Sequence, residues 1–403
     1  MSTVIVVGAG QAGASLVAKL RALEFDGRII LAGEEPEPPY QRPPLSKAYL
    51  LGQMEKERLY LRPAAYYDEQ KIELRLGAAV EALDTAAKTV RIGGETVGFD
   101  HLALTTGSIP RRLPAAIGGD LDGVYVVRGL ADIDQIQPEF AEGRRVLIVG
   151  GGYIGLEAAA VARQKGLTTT LVEATDRILQ RVASPGTSDF FRDTHRAHGV
   201  DLREGVGLDR LEGDGRVQRA VLAGGETIEV DFVIVGIGVA PAAALAESAG
   251  LVIDNGIAVD EFGQTSAPGV WAAGDCASFP RHGARIRLES VQNAIDQAEA
   301  VAANIMGASA AYEPKPWFWS DQYDVKLQIA GLNTGYDAVV PRPGVREGAQ
   351  SLWYYRGGAL ISVDAMNDPQ AYMVGKRMIE MGKTPAPEDI ANPASDLKAL
   401  LRG

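Results

Sequence analysis

The chain has 403 residues with a formal net charge of -12 at pH 7, and its balance of 46% hydrophobic to 23% charged residues excludes the disordered and membrane classes. That length predicts two or three domains, and the acidic excess excludes a general nucleic-acid binder, which needs a basic face. Cys276 is the single cysteine, which excludes an intrachain disulfide, a CxxC redox pair and a cysteine metal cluster.

The chain begins on residues 4–13, VIVVGAGQAG: four β-prone aliphatics, then Gly8, Gly10 and Gly13, then an Ala/Leu-rich stretch to residue 23. This reads as strand, tight turn and helix. Gly8 makes the turn, Gly10 lets backbone approach a pyrophosphate, and Gly13 lets helix pack on strand. Free N–H groups at the helix N-terminus favour an anion there. A second strand, residues 28–32, leads to Glu34, about 20 residues on, where a carboxylate meets an adenosine ribose. Residues 36–44, PEPPYQRPP, are too proline-rich for helix or central strand and predict a rigid loop. A short helix over 45–49 follows, then EKER at 55–58 as a solvated face, and short strands over 72–76, 89–92, 96–99 and 102–104. The turn Thr106-Gly107-Ser108 and a linker over 110–114 close this part.

Residues 146–155, VLIVGGGYIG, then restate the opening: strand, Gly150, Gly152 and Gly155, an Ala-rich helix over 156–164, and a strand over 168–172 ending at Glu173. Two dinucleotide folds in one chain predict two dinucleotides, the alternative being one dinucleotide and a decayed site. A carboxylate at Glu173 accepts a ribose 2'-hydroxyl and repels a 2'-phosphate, so NADH is expected over NADPH, with Arg177 and Arg181 nearby as opposing charges. His195 and His198, at i,i+3, read as two exposed helix residues, and no metal site is expected from them or from His101 and His282. Further on come a strand over 231–235, the turn GIGVAP at 236–241, and GVWAAGDCA at 269–277, whose strand end carries Gly274 and Asp275. Residues 289–307 read as one long helix; PKPWFW at 314–319 breaks the pattern. Alternating strands over 326–331, 338–340, 351–355 and 360–363, then two helices, complete the chain. No apolar run approaches the ~18 residues of a membrane span, and no signal-like core opens the sequence, so the expected location is the cytoplasm.

Taken in order, GAGQAG (8–13), YQRPPLSKAYL (40–50), TTGSIPR (105–111), GGGYIGLE (150–157), GIGVAP (236–241), AAGDCA (272–277), ESVQNA (289–294) and PWFWSDQYD (316–324) carry a resemblance over nearly the whole length. The chain resembles the FAD-containing, NADH-dependent ferredoxin reductases of bacterial haem monooxygenases and aromatic-ring dioxygenases, a branch of the two-dinucleotide flavoproteins related to glutathione reductase. This implies an α/β protein with two Rossmann-like dinucleotide-binding domains plus a C-terminal α+β domain. The implied FAD-binding domain is residues 1–108 with 236–314, the NAD-binding domain 109–235, and the C-terminal domain 315–403.

The resemblance implies FAD over Gly8, Gly10 and Gly13, with Glu34 on the ribose and Asp275 near the ribityl chain. Arg42 and Lys47 fall on the flavin side, with Arg128, Thr106, Gly107, Gly274 and Val291 completing the FAD set. It implies NADH over Gly150, Gly152 and Gly155, with Tyr153, Ile154, Glu173, Arg181, Gly236 and Gly238, and Glu157 as a nicotinamide-pocket acid paired with Lys47. Trp319 is the implied ring nearest the isoalloxazine, and Lys47, Glu157 and Trp319 the implied catalytic residues.

Related disulfide reductases receive electrons on a cysteine pair where this chain has PPYQRPPLSK, so a one-electron carrier, a two-iron ferredoxin, is the expected partner. An acidic ferredoxin needs a basic island, for which Arg58, Arg62, Arg287 and Lys315 are candidates, and the expected state is monomer or weak dimer. Other readings stand beside this one: a rubredoxin reductase or flavin NADH oxidase, and a redox-dependent interaction protein resembling apoptosis-inducing factor.

Overall fold

A computed structural model describes residues 2–402; Met1 and Gly403, the outermost residues of the expected domains, lie outside them. The chain forms two compact units: residues 1–42, 55–109 and 239–316, and residues 43–54, 110–238 and 317–403.

In the first unit, β1 (Thr3–Val7) runs straight into α1 (Gln11–Ala22), and then β2 (Arg28–Ala32), β3 (Ile72–Arg75) and β4 (His101–Leu104) follow. With the strand Val270–Ala272 they make a parallel sheet in which β1 lies between β2 and β4, Val4 aligning with Ile29 and His101. Continuous aliphatic runs such as Val4 to Val7 suit strands covered on both faces. Val4, Val6, Leu16, Val17 and Leu20 pack with Ala298 and Val301 of the helix Val291–Ile305, all but fully buried.

The second unit repeats the plan. Its sheet carries β5 (Val124–Val126), β6 (Arg145–Val149), β7 (Thr168–Glu173), β8 (Asp201–Glu204) and β9 (Phe232–Val235), parallel, in the order β8-β7-β6-β9-β5. Helix α2 (Tyr153–Gln164) leaves β6, and α3 (Pro185–Ala197) lies between β7 and β8. The remainder is an antiparallel sheet of β10 (Trp317–Gln322), β11 (Val325–Gly331), β12 (Ala338–Pro343), β13 (Gln350–Arg356) and β14 (Ala359–Met366), ordered β10-β11-β14-β13-β12, with α4 (Pro369–Glu380) on it.

Four expectations change. The short helix expected over 45–49 is a 3-10 helix over Pro43–Ser46, with turn after it. Residues 317–319, read as a break, open β10, because Pro314 and Pro316 precede the strand and the aromatic residues after them favour it. Three helices follow β14, since Pro387–Ala391 and Leu397–Arg402 are separate. His195 is not an exposed helix residue: it is fully buried, on the stripe of α3 that Thr187 and Phe191 also occupy. Among the described residues, no helix is long and apolar enough to cross a membrane.

Candidate functional site

The two glycine turns are built alike. Gly8 has φ +116°, and a Cβ there would lie 2.2 Å from the Thr105 carbonyl oxygen; Gly150 has φ +109°, and its Cβ would lie 2.4 Å from that of Gly236. Gly13 and Gly155 are closed by backbone as well, each Cβ falling 2.1 Å from the carbonyl oxygen of Gly8 or Gly150. Gly10 and Gly152, the N-caps of α1 and α2, differ: neither has an atom within 4 Å of a Cβ, and neither has a side-chain cap. Each turn therefore presents open space before a row of helix N-terminal N–H groups, which fits the pyrophosphate of a dinucleotide.

Around the first turn, Thr105 donates through Oγ1 to the Gly8 carbonyl at 2.9 Å, and Thr106 donates to the Ala242 carbonyl at 2.6 Å. Gly107 and Gly274 both have positive φ, and a Gly274 Cβ would meet that of Ala12 at 3.1 Å, so the loop carrying Asp275 lies directly against α1. Ser108 donates to Asp275 Oδ2 at 3.1 Å, and Val291 is the first residue of its helix, capped by Ser290. Glu34 is exposed beyond β2. Arg42 is fixed by Glu35 at 2.5 Å and by the Tyr40 hydroxyl at 3.0 Å, its guanidinium 5.1 Å from the Tyr40 ring centre. Arg58, Arg62 and Lys315 are exposed, but Arg287 is half-buried, paired with Glu289 and donating to the Asp275 and Asn255 carbonyls.

In the second unit, Glu173 ends β7 with Oε2 accepting from Gly151 N–H at 2.7 Å and Oε1 accepting from Thr175 N–H at 2.8 Å. The carboxylate is thus pinned to the glycine turn itself. Arg177 turns inward, donating to Ser188 Oγ at 2.5 Å and the Ala183 carbonyl at 2.8 Å, whereas Arg181 is exposed beside Gly238, 3.0 Å from where its Cβ would sit. Gly150, Gly155, Gly236, Gly238, Glu173 and Arg181 are therefore one neighbourhood, with Ile154 exposed on α2. Arg128 precedes the helix Leu130–Ile136, its backbone N–H donating to Asp132 at 3.0 Å. Tyr153 packs its ring 4.7 Å from Phe318, and burial pushes its hydroxyl well above the usual tyrosine range.

Glu157, one helical turn beyond Tyr153, is the most elaborated group. It is 3% exposed, yet Lys47 Nζ lies 2.7 Å from Oε2, Ser46 donates to Oε2 at 2.6 Å, and Ser320 donates to Oε1 at 2.7 Å. A buried carboxylate persists when its charge is paired and its lone pairs are filled, as here. A cleft of about 600 Å³ opens beside the pair, lined among others by Gln164, Lys165, Asp321 and Tyr323. Trp319, next to Ser320 on β10, points to the other face of the strand, its ring 5.3 Å from Trp317. Ser46 and Ser320 are absent from the sequence reading of the site; the only signal was that each adjoins a residue it did contain, Lys47 and Trp319. Cys276 is fully buried, its thiol 3.4 Å from the Leu104 carbonyl and pushed up by burial. Among the described residues, no group of three or more His, Cys, Asp or Glu could hold a metal.

Comparison with known proteins agrees with this geometry. Residues 2–298 match the family described as pyridine nucleotide-disulphide oxidoreductase, and residues 317–401 match that described as reductase C-terminal. The chain is 42% identical to rhodocoxin reductase of Rhodococcus erythropolis, over 99% of this chain and 94% of that protein. It is 45% identical to a ferredoxin–NAD(P)+ reductase of a Sphingomonas species, over 94% and 92% respectively. A crystal structure of the covalent putidaredoxin reductase–putidaredoxin complex superposes with TM-score 0.96 at 36% identity, covering 100% of this chain and 98% of that one. With two glycine cradles, a C-terminal sheet and these relatives spanning its length, the chain belongs to the pyridine nucleotide-disulphide oxidoreductase family.

Proposed function

We propose that the protein is an NADH-dependent, FAD-containing ferredoxin reductase, passing electrons singly to a two-iron ferredoxin that serves a haem monooxygenase or ring-hydroxylating dioxygenase. The observation that carries it is the doubled glycine cradle in a chain whose one thiol is buried. Two dinucleotides can be held, and no dithiol can relay between them. The relatives named as ferredoxin reductases support the same reading.

Bound FAD supplies the conversion of a hydride into single electrons. In this reading residues 1–108 and 236–314 hold it, residues 109–235 hold the nicotinamide nucleotide, and residues 315–403 complete the protein. Gly8, Gly10 and Gly13 take the flavin pyrophosphate with Glu34, Arg42, Thr106, Gly107, Arg128, Gly274, Asp275 and Val291 around the rest. Gly150, Gly152 and Gly155 take that of NADH, with Tyr153, Ile154, Arg181, Gly236 and Gly238 about it. Glu173 selects the unphosphorylated ribose, since its carboxylate repels a 2'-phosphate. Glu157 orients Lys47, whose ammonium offsets negative charge arriving at the flavin, and Trp319 lies at the electron outlet. Arg58, Arg62 and Lys315 are the exposed basic residues offered to an acidic ferredoxin; Arg287, already paired, contributes least. The proposed setting is cytoplasmic, as a monomer or weak dimer.

Stopped-flow mixing tests the reading. FAD-loaded protein should be reduced faster by NADH than by NADPH and then reoxidised rapidly by a two-iron ferredoxin. Faster reoxidation by rubredoxin, or by oxygen at the rate of reduction, overturns it in favour of a rubredoxin reductase or an oxidase.

A further inference from the structure

The Glu157 carboxylate ends a line of side-chain hydrogen bonds that runs through the second unit from Tyr323. Ser320 donates to Glu157 Oε1 at 2.7 Å, and Gln322 donates through Nε2 to Ser320 Oγ at 3.1 Å. Gln322 Oε1 lies 2.8 Å from His195 Nε2, and the Tyr323 hydroxyl lies 3.3 Å from His195 Nδ1. Ser320, Gln322 and His195 are all fully buried. Burial pulls the His195 imidazolium down to about 4, so the ring is neutral at pH 7, with one donor and one acceptor nitrogen. Since Gln322 presents oxygen to it, Nε2 carries the proton and Nδ1 accepts from Tyr323. Every donor along the line then points the same way, from Tyr323 toward Glu157. With its lone pair occupied by Gln322, the Ser320 hydroxyl has Glu157 as the acceptor left for its proton.

Two further observations show that the line is held. Tyr323 begins the hairpin turn between Gln322 and Val325 with φ +56°, a conformation that a bulky residue adopts only where its surroundings impose it. Its ring is clamped, stacked 3.7 Å from His198 and set edgewise 5.1 Å from His195. Alternation along β10 also puts Ser320 and Gln322 on the face opposite Trp319.

We propose that Ser320, Gln322 and His195 are positioning residues for hydride uptake, fixing the Glu157 carboxylate and through it Lys47, so that one strand serves the electron inlet on one face and the outlet, at Trp319, on the other. This rests on the role given above to the Lys47–Glu157 pair.

The test uses FAD holoenzymes. Ser320→Ala and Gln322→Leu should slow reduction by saturating NADH about tenfold or more, as expected of a displaced reacting group. Half-saturating NADH should stay within about twofold, because the glycine cradle and Glu173, which hold the rest of the nucleotide, are untouched. Gln322→Glu keeps the volume and the bond to His195 but draws the Ser320 proton away from Glu157, and should slow reduction as Gln322→Leu does. All three should lower the flavin midpoint potential, measured by dye equilibration, as Lys47 loses its fixed place. Ferredoxin reoxidation of photoreduced protein should remain within about twofold of the parent rate. A loss of thermal stability with parental reduction rate and potential in Gln322→Leu and Gln322→Glu overturns the proposal, as does equal slowing of both half-reactions. Glu157→Gln separates the two readings: parental reduction there removes the ion pair's role, whereas slow reduction there with normal Gln322 variants removes only the line behind it.

Discussion

At the scale of single residues, glycines of one motif have separable tasks. An alanine at Gly13 would push its Cβ to 2.1 Å from backbone, whereas one at Gly10 or Gly152 meets no protein atom. Gly13→Ala should therefore destabilise the fold by about 1–3 kcal/mol, as overpacked sites do. Gly10→Ala should keep the parental thermal midpoint of the cofactor-free protein yet lose FAD on dialysis, and Gly152→Ala should keep FAD and raise KM for NADH. Calorimetry and flavin absorbance check each. Glu173→Gln tests nucleotide choice: it retains an acceptor for Gly151 but not the charge, so the ratio of kcat/KM for NADH over NADPH should fall about tenfold. The glycine spacing and the acid after each second strand were legible in the sequence because each motif residue answers a local backbone requirement. Ser46 and Ser320 were not, since their role depends on residues distant in sequence meeting Glu157.

At the scale of elements, α3 shows what local pattern conceals. Thr187, Phe191 and His195 form a buried stripe at helical spacing, but a stripe of threonine and histidine does not announce itself as a core face. Its partners come from β10, β13 and β14: Thr187 donates to the buried Asp364 at 2.7 Å, as Tyr354 does at 2.5 Å, while His195 meets Gln322. Burial pushes the Asp364 carboxyl up to about 6 and pulls His195 down to about 4, with opposite consequences. The unfolded chain protonates histidine near 6.5, so His195 contributes stability that is lost as pH falls from about 6.5 to 4. Asp364 keeps its proton in the folded state until about pH 6, whereas the unfolded chain releases it near 4, so its contribution is lost as pH rises through that window. Each is worth about 3 kcal/mol at most, and in the parent they largely cancel. Relative to the parent at each pH, His195→Gln should make urea-measured stability fall as pH rises from 4 to 6, and Asp364→Asn should make it rise; a difference from the parent that stays flat with pH in both variants would contradict the assignment.

For the whole molecule, alternating strand and helix patterns were enough to reveal two parallel sheets, because fully buried strands write continuous aliphatic runs into the chain. The antiparallel sheet was legible in its later strands but not in β10, where the prolines just before it and its own run of aromatics mask the alternation. Trp319→Ala should separate the two halves of turnover, slowing electron delivery to ferredoxin about tenfold while NADH reduction stays within about twofold, by stopped flow. Equal slowing would mean that the ring only packs the flavin.

The lone thiol at Cys276, fully buried against the Leu104 carbonyl, also sets the redox capacity of the protein. Relatives with a dithiol can store a second electron pair beside the flavin, but this chain has nowhere to keep one. Anaerobic titration of the FAD-loaded protein should therefore end after a single electron pair, and alkylating reagents should leave both that endpoint and the rate of filling unchanged. A reductase working as proposed holds no reserve, so its output follows the supply of nicotinamide nucleotide and oxidised carrier from turnover to turnover.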